Sequence, residues 1–384
     1  MEAQSALLAS GENADPAADG PRVASVALRD FRSYERAQVT LGHGLNVIVG
    51  PNGTGKTNLL EAIYCGCTGR SCRAAHEREI VRFGAQSTRI AVSVRSSDGP
   101  HELTVGFKPG EPKRLLIDGA GVETLLEAAA RPLLTVFLPD RLELIKGPPS
   151  VRRAHLDQLV AGLWPARVAS RRMYAQALAQ RNALIARIRS QGLARDGLRA
   201  WDAQLARAGI ALMEDRASAV AAISGSFARA AGELGLDGEL ELRYRPRSRA
   251  DSPEQLVAEL AERVDSDLER GFTGHGPHRD ELALLRNGRE LRTYGSQGQQ
   301  RLGLLALLLS EREAIARMRG ALPVLLLDDV MSELDHERRH ALASRLRKDG
   351  GQAVITASEH QHVPGADASD VAVLDVATLK GNEA

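Results

Sequence analysis

The sequence predicts an α/β protein in two parts. One is a head with a mixed sheet and an antiparallel β subdomain, assembled from both chain ends; the other is a helical arm inserted between them. Three observations predict this. The glycine-rich stretch Gly50–Thr57 sits between an apolar strand-like run and a helix-like run. Period-two alternation follows it as far as Ile117, and from about Arg152 to Leu234 the spacing is helical with few strand signals. At 384 residues the chain exceeds one typical core. The expected division is a disordered tail at 1–22, head at 23–140, arm at 141–270 and head again at 271–384.

Composition limits the partners. Charge is balanced, with 50 Lys+Arg against 49 Asp+Glu, so any nucleic-acid surface must come from local clustering. Aromatic residues are only 3%, which argues against a base-stacking platform for single strands. No apolar run reaches the roughly 18 residues that a membrane helix needs. The first 22 residues, with Asp15, Asp19 and many Ala and Gly, lack the apolar core of a signal peptide, so a cytoplasmic protein is expected. Cys65, Cys67 and Cys72 cluster without a second half that could complete a zinc site, and read as reduced thiols in a partly buried turn.

Taken in order, Val23 to Leu28, Val39 to Leu41 and Leu45 to Val49 are strands leading to the glycine-rich loop. Ile90-x-Val92-x-Val94, Leu103-x-Val105-x-Phe107 and Arg114–Ile117 form an antiparallel meander closed by Asp118-Gly119. Leu133–Leu138 is a short buried strand. In the helical region, Leu178, Ile185 and Ile188 share a face, as do Trp201, Leu205 and Leu212. Within it, Arg167, Arg171, Arg172, Arg181, Arg187, Arg189, Arg195, Arg199 and Arg207 stud one stretch. They read either as the solvated face of a helix pair or as a basic arm along a phosphate backbone. Glu239–Tyr244 is a strand, Leu256–Leu268 a helix, and Asn287-Gly288 the turn of a hairpin. The loop Gly274-His275-Gly276-Pro277-His278-Arg279-Asp280 is too rich in special residues to be filler.

Gly50-Pro51-Asn52-Gly53-Thr54-Gly55-Lys56-Thr57 fits G-x-x-x-x-G-K-[ST], the phosphate-binding loop of nucleotide triphosphatases. Its glycines let backbone N–H groups wrap a phosphate, and the following helix adds partial positive charge there. Lys56 supplies a cation for the β/γ-phosphates of ATP, and the Thr57 hydroxyl a Mg²⁺ ligand. Val324–Asp329 is an apolar run ending in two carboxylates, a buried parallel strand whose end faces the ligand crevice. Asp328 is expected to hold Mg²⁺, and Asp329 to orient or deprotonate the attacking water. Gln352–Thr356 is the next strand, with Thr356 near the γ-phosphate position. Ser296-Gln297-Gly298-Gln299 opens a helix ending near Met318, with Gly320 as its stop. It reads either as a plain cap or as a second anion site made by Ser296, Gly298 and Gln299. Ser332-Glu333-Leu334-Asp335 matches the loop after the acidic strand in ABC-type ATPases.

The order of these motifs, with His275-Gly276-Pro277-His278-Arg279-Asp280 between arm and signature, resembles the RecF family of bacterial recombination mediators, whose head is an ABC-type P-loop ATPase. Phe31-Arg32-Ser33-Tyr34, Pro139-Asp140 with Lys146-Gly147, and Arg152-Arg153 share the resemblance, which runs from Val23 to about Leu374. It implies a weak DNA-dependent ATPase that forms an ATP-dependent homodimer and binds duplex DNA near single-strand gaps. It also implies partnership with RecR, and indirectly RecO and RecA, in gap repair and fork recovery. The signature departs from transporter ATPases in lacking a double glycine, and Thr356 stands where those place a histidine. Two further readings share the head. A nuclease-linked or phage-defence ATPase needs a metal-nuclease cluster or extra domain, for which these residues offer no evident segment. A DNA-binding scaffold with a vestigial site is disfavoured because Lys56, Thr57, Asp328 and Asp329 are all present.

Overall fold

The computed structural model describes residues 20–379. The tail expected at 1–22 therefore lies outside the described residues as far as residue 19, and Arg22 already belongs to the first strand. Two compact units form, one from both chain ends up to Leu138 and from Arg319, the other from Pro139 to Met318.

The first unit opens with β1 (Arg22–Phe31), β2 (Tyr34–Thr40), β3 (Leu45–Val49), α1 (Lys56–Thr68), β4 (Thr88–Ser96), β5 (Gly99–Phe107), β6 (Arg114–Ile117), β7 (Ala120–Gly121) and β8 (Leu134–Phe137). The second contains α2 (Glu143–Lys146), α3 (Pro149–Leu163), α4 (Val168–Gln191), α5 (Leu198–Glu233), β9 (Leu240–Arg245), α6 (Pro253–Glu262), α7 (Val264–Arg270), β10 (Glu281–Arg286), β11 (Arg289–Glu290), α8 (Leu291–Tyr294) and α9 (Gln297–Arg319). The chain then returns to the first unit with β12 (Val324–Leu327), α10 (His336–Lys348), β13 (Ala353–Ala357), β14 (Ala372–Asp375) and α11 (Val376–Leu379).

In the first unit, β2-β1-β4-β5-β6-β7 make an antiparallel sheet, and β14-β3-β13-β12-β8 make a parallel one. The two sequence patterns separate accordingly. Alternating β4 buries Ile90, Val92 and Val94 on one face, whereas β12 and β13 are buried at every position, as strands covered on both faces are. Leu59, Leu60 and Ile63 of α1 close a core shared with both sheets, each contributing about 1.5–3 kcal/mol by burial. Cys65 and Cys67 are buried on this helix rather than in a turn, and burial pushes both thiols up to about 12.

The second unit sets α4 against α5 and pairs β9 with β10 in an antiparallel sheet. That pairing moves a boundary: β9 lies before residue 270 and β10 after it, so a cut at 270/271 would sever a sheet. The compact unit runs instead to Met318. The helix expected over Leu256–Leu268 is two, parted at Arg263, where the backbone leaves helical values (φ −106°, ψ 4°). The arginine-studded face also resolves. Arg181 is wholly buried and bridges Asp202 and Asp267, each at 2.6 Å, so it is an internal strut and not a phosphate contact. Arg167, Arg171 and Arg195 pair with Asp215, Asp157 and Asp265. Arg172, Arg187, Arg189, Arg199 and Arg207 remain exposed.

Candidate nucleotide site

Three adjacent parallel strands, β3, β13 and β12, end side by side in the first unit, and their C-terminal ends carry the chemistry. From β3 the chain enters the loop with Gly50 at φ +152°, Gly53 at +80° and Gly55 at +111°. Only glycine suits position 55. A Cβ there would lie 2.8 Å from Ser33 Oγ and 3.0 Å from the Tyr34 hydroxyl, which itself donates to the Gly55 carbonyl at 3.0 Å. Pro51, Asn52 and Gly53 are exposed, and Thr54 closes the loop by donating to the Pro51 carbonyl at 2.8 Å.

Lys56 is not the surface cation its motif suggests. It is 7% exposed, and its Nζ donates to the Gly50 and Pro51 carbonyls at 2.6 and 3.0 Å. The loop thus curls around its own lysine, holding the ammonium at the centre of the turn.

From β12, Asp328 meets the loop. The Thr57 hydroxyl donates to its carboxylate, 2.8 Å from Oδ2 and 2.9 Å from Oδ1, and the Thr356 hydroxyl donates to Oδ1 at 2.8 Å. Burial raises the Asp328 pKa above the ordinary aspartate value, against the lowering pull of the Thr356 and Thr57 hydrogen bonds and of Arg73. A hydroxyl and a carboxylate, with no sulfur or imidazole, form a donor set suited to a hard oxygen-seeking cation.

Asp329 adopts a left-handed backbone (φ 49°, ψ 25°), sparsely populated for residues other than glycine and tolerated by Asp and Asn. Its N–H donates to Thr356 Oγ1 at 2.8 Å. Thr356 stands at a strand end, as expected, with its hydroxyl taken up by Asp328 and the Asp329 amide. It is wholly buried at the end of β13, between the strands bearing loop and acids. It acts through Asp328 and Asp329 as a positioning residue.

Ser296, Gly298 and Gln299 lie in the second unit, at the start of α9. The hydrogen bonds at the tetrad are those of a helix cap. Gln299 N–H donates to Ser296 Oγ at 3.3 Å, and Ser296 N–H to Gln299 Oε1 at 2.9 Å, a reciprocal capping box. Gln299 thus spends its carbonyl oxygen on the cap, whereas Ser296 and Gly298 remain exposed, with open space around Gly298.

Several supports have partners that the motifs do not reveal. Arg32, with φ +51°, forks onto the buried Glu61 of α1 at 2.7 and 3.0 Å, tying the Phe31–Tyr34 turn to the loop helix. Gln300 is buried and donates to the Leu291 and Gly295 carbonyls, fixing the turn before Ser296. Arg152 is buried too, paired with Glu281 at 2.6 and 2.7 Å. Local spacing signals none of these pairings, although Arg32 and Arg152 stand in motifs that carry the family resemblance.

Residues 25–115 match a family model described as an AAA domain. Over nearly the whole chain, the sequence is 35% identical to the DNA replication and repair protein RecF of Myxococcus xanthus, covering 92% of this chain and 95% of that protein. The chain belongs to the RecF family. RecF of Anaeromyxobacter sp. is 36% identical over 92% of this chain and 97% of its own. A solved structure of the recombination mediator protein RecF-ATPrS in the RecFOR pathway superimposes with a TM-score of 0.80 at 30% identity, covering 93% of this chain and 96% of that one. The Smc head domain of Pyrococcus furiosus, at TM-score 0.55 and 18% identity, shares the fold. RecF membership thus places the chain among proteins of DNA replication and repair, on an ABC-type ATPase head.

Proposed function

We propose that the chain binds ATP with Mg²⁺ at the loop Gly50–Thr57 and uses nucleotide-dependent pairing of two copies to hold duplex DNA beside single-strand gaps. The observation that carries this is the Thr57 hydroxyl within 2.9 Å of both Asp328 oxygens, which joins the loop to the acidic strand end. Thr57 and Asp328 would hold the Mg²⁺, which when bound offsets charge on the β- and γ-phosphates. Loop amides and Lys56 bind the phosphates, and Lys56 exchanges its two carbonyl partners for phosphate oxygens. Asp329 orients water and accepts its proton, with slow turnover expected from an aspartate that is one methylene shorter than glutamate. Ser296 and the exposed amide of Gly298 cap the nucleotide held by the second copy. RecF relatives named for the RecFOR pathway support RecR as partner, with RecO and RecA indirect, in the cytoplasm where chromosomal DNA lies.

Sedimentation with ATP and Mg²⁺ tests the reading. Wild type is expected to dimerise; Lys56→Ala loses nucleotide affinity and the dimer, whereas Ser296→Arg keeps nucleotide affinity and loses the dimer. A normal ATP-dependent dimer of Ser296→Arg would rule out the shared site, and unchanged nucleotide affinity in Lys56→Ala would remove the central claim.

A further inference from the structure

The loop Thr273–Asp280 belongs to the second unit, and buried polar groups are spent on holding it still. Thr273 donates from its N–H and its hydroxyl to Asn182 Oδ1, at 2.8 and 2.7 Å, and Arg181 donates to Thr273 Oγ1 at 2.8 Å. Gly274 N–H donates to Asp267 Oδ1 at 2.8 Å. His278 Nε2 donates to the Thr273 carbonyl at 2.9 Å, leaving Nδ1 to accept from the Tyr174 hydroxyl at 2.7 Å. Gly276 sits at φ +127°, where a Cβ would come within 2.8 Å of the Tyr174 oxygen. Asp280 is wholly buried and accepts from the Arg247 N–H at 2.8 Å, from Arg216 at 3.0 Å and from the Tyr244 hydroxyl.

What this framework presents outward is a cavity of about 440 Å³ lined by Arg247, Arg270, Phe272, Gly274 and Arg279. No carboxylate lines it, whereas the cavities around β10 and β11 each include Glu290 or Glu281. Among the described residues none of the three guanidiniums has an ion-pair partner, although arginines nearby in the fold, such as Arg181 and Arg216, are matched by carboxylates. Phe272 is 41% exposed, and the Arg279 guanidinium stands 5.5 Å from its ring centre. Three like charges facing one cavity repel, so a rigid mount for them is useful when an anion enters. Planar guanidiniums match phosphate oxygens in forked pairs, and an exposed ring face beside them suits a base. An acidic peptide would use the charges and leave the ring idle.

We propose that this cavity holds one nucleotide of a DNA strand, its phosphate on Arg247, Arg270 and Arg279 and its base against Phe272. The inference rests on the DNA-binding reading above and adds to it a point where an unpaired nucleotide is held. A single ring is a clamp for one base and not a platform for a strand, in keeping with the low aromatic content.

The test is fluorescence anisotropy of the full chain, with ATP and Mg²⁺, on a blunt duplex and on the same duplex with a single-stranded tail. Arg247→Gln/Arg270→Gln/Arg279→Gln is expected to weaken binding to the tailed duplex by about 10-fold or more and to reduce the slope of log K against log salt by roughly 0.7–0.9 per lost phosphate contact. Phe272→Ala is expected to lose roughly 5-fold or more on the tailed duplex and to stay within about twofold of wild type on the blunt one. Nucleotide affinity stays unchanged in both. If the triple variant does not fold, Arg270→Gln and Arg279→Gln singly carry the same comparison, with thermal melts as control. Wild-type affinity and slope in the arginine variants, while wild type binds DNA, would overturn the cavity and leave the general reading standing. Labelled polyglutamate is titrated in parallel, and arginine variants that lose wild-type polyglutamate binding while keeping DNA binding intact would overturn it in favour of an acidic protein partner. A wild type that binds neither DNA would overturn both.

Discussion

Replacing Thr356 by valine removes one hydroxyl from the centre of the nucleotide site while keeping its shape. The hydroxyl donates to Asp328 Oδ1 and accepts from the Asp329 N–H, both at 2.8 Å, in a wholly buried position. Losing a hydrogen bond to a carboxylate costs about 1.5–3 kcal/mol, and a buried amide left without a partner costs about 1–3 kcal/mol. The two losses share one group, so about 3 kcal/mol in total is expected, with no cavity term because valine fills the space. For a unit of this size that lowers Tm by roughly 6–12 °C. Turnover falls as well, because the left-handed turn at Asp329 loses the bond that holds its amide. Thermal unfolding by circular dichroism and phosphate release under saturating ATP read the two effects. Thr356→Ser retains the hydroxyl and is expected to recover most of both. A valine variant within about 0.5 kcal/mol of wild type, or a serine variant as impaired as valine, would refute the buttress.

Asp329→Asn keeps a side chain that tolerates the left-handed backbone and removes only the charge, so ATP binding and the dimer persist while phosphate release drops by about 10²-fold or more. Arg181→Met leaves Asp202 and Asp267 buried and unpaired and is expected to cost about 3–5 kcal/mol in urea melts; near-native stability with weakened DNA binding would return Arg181 to the phosphate-contact role. His278 is held neutral by burial, its pKa lowered to about 4 from an ordinary 6.5. Between those values the unfolded chain binds the extra proton. This contribution is therefore fully present above pH 6.5 and is lost as pH falls through the window towards 4, about 3 kcal/mol in all. His278→Gln should flatten that part of the urea-stability profile, and an unchanged profile would assign the acid sensitivity elsewhere.

The nucleotide site was legible because its chemistry is local. A strand, a glycine loop and a helix start lie within Leu45–Thr68, and the acids sit at the end of a four-residue buried strand, so each piece announces its own geometry. What the pieces do to one another was not legible. Lys56 reads as a free cation until the carbonyls of Gly50 and Pro51 are seen around it, and the place of Thr356 at a strand end does not announce its bonds to Asp328 and the Asp329 amide. The limit is sharper in the second unit. The sequence from Arg167 to Arg207 shows nine arginines but not which have been claimed. Arg181 is matched by Asp267, 86 positions away, and Arg216 by Asp280, 64 away. Arg279, one residue before Asp280, carries the same charge and has no acid partner among the described residues. An external anion is recognised by the arginines left over after the internal carboxylates have taken theirs. That remainder depends on contacts between distant residues, so a count of charges along the chain cannot supply it.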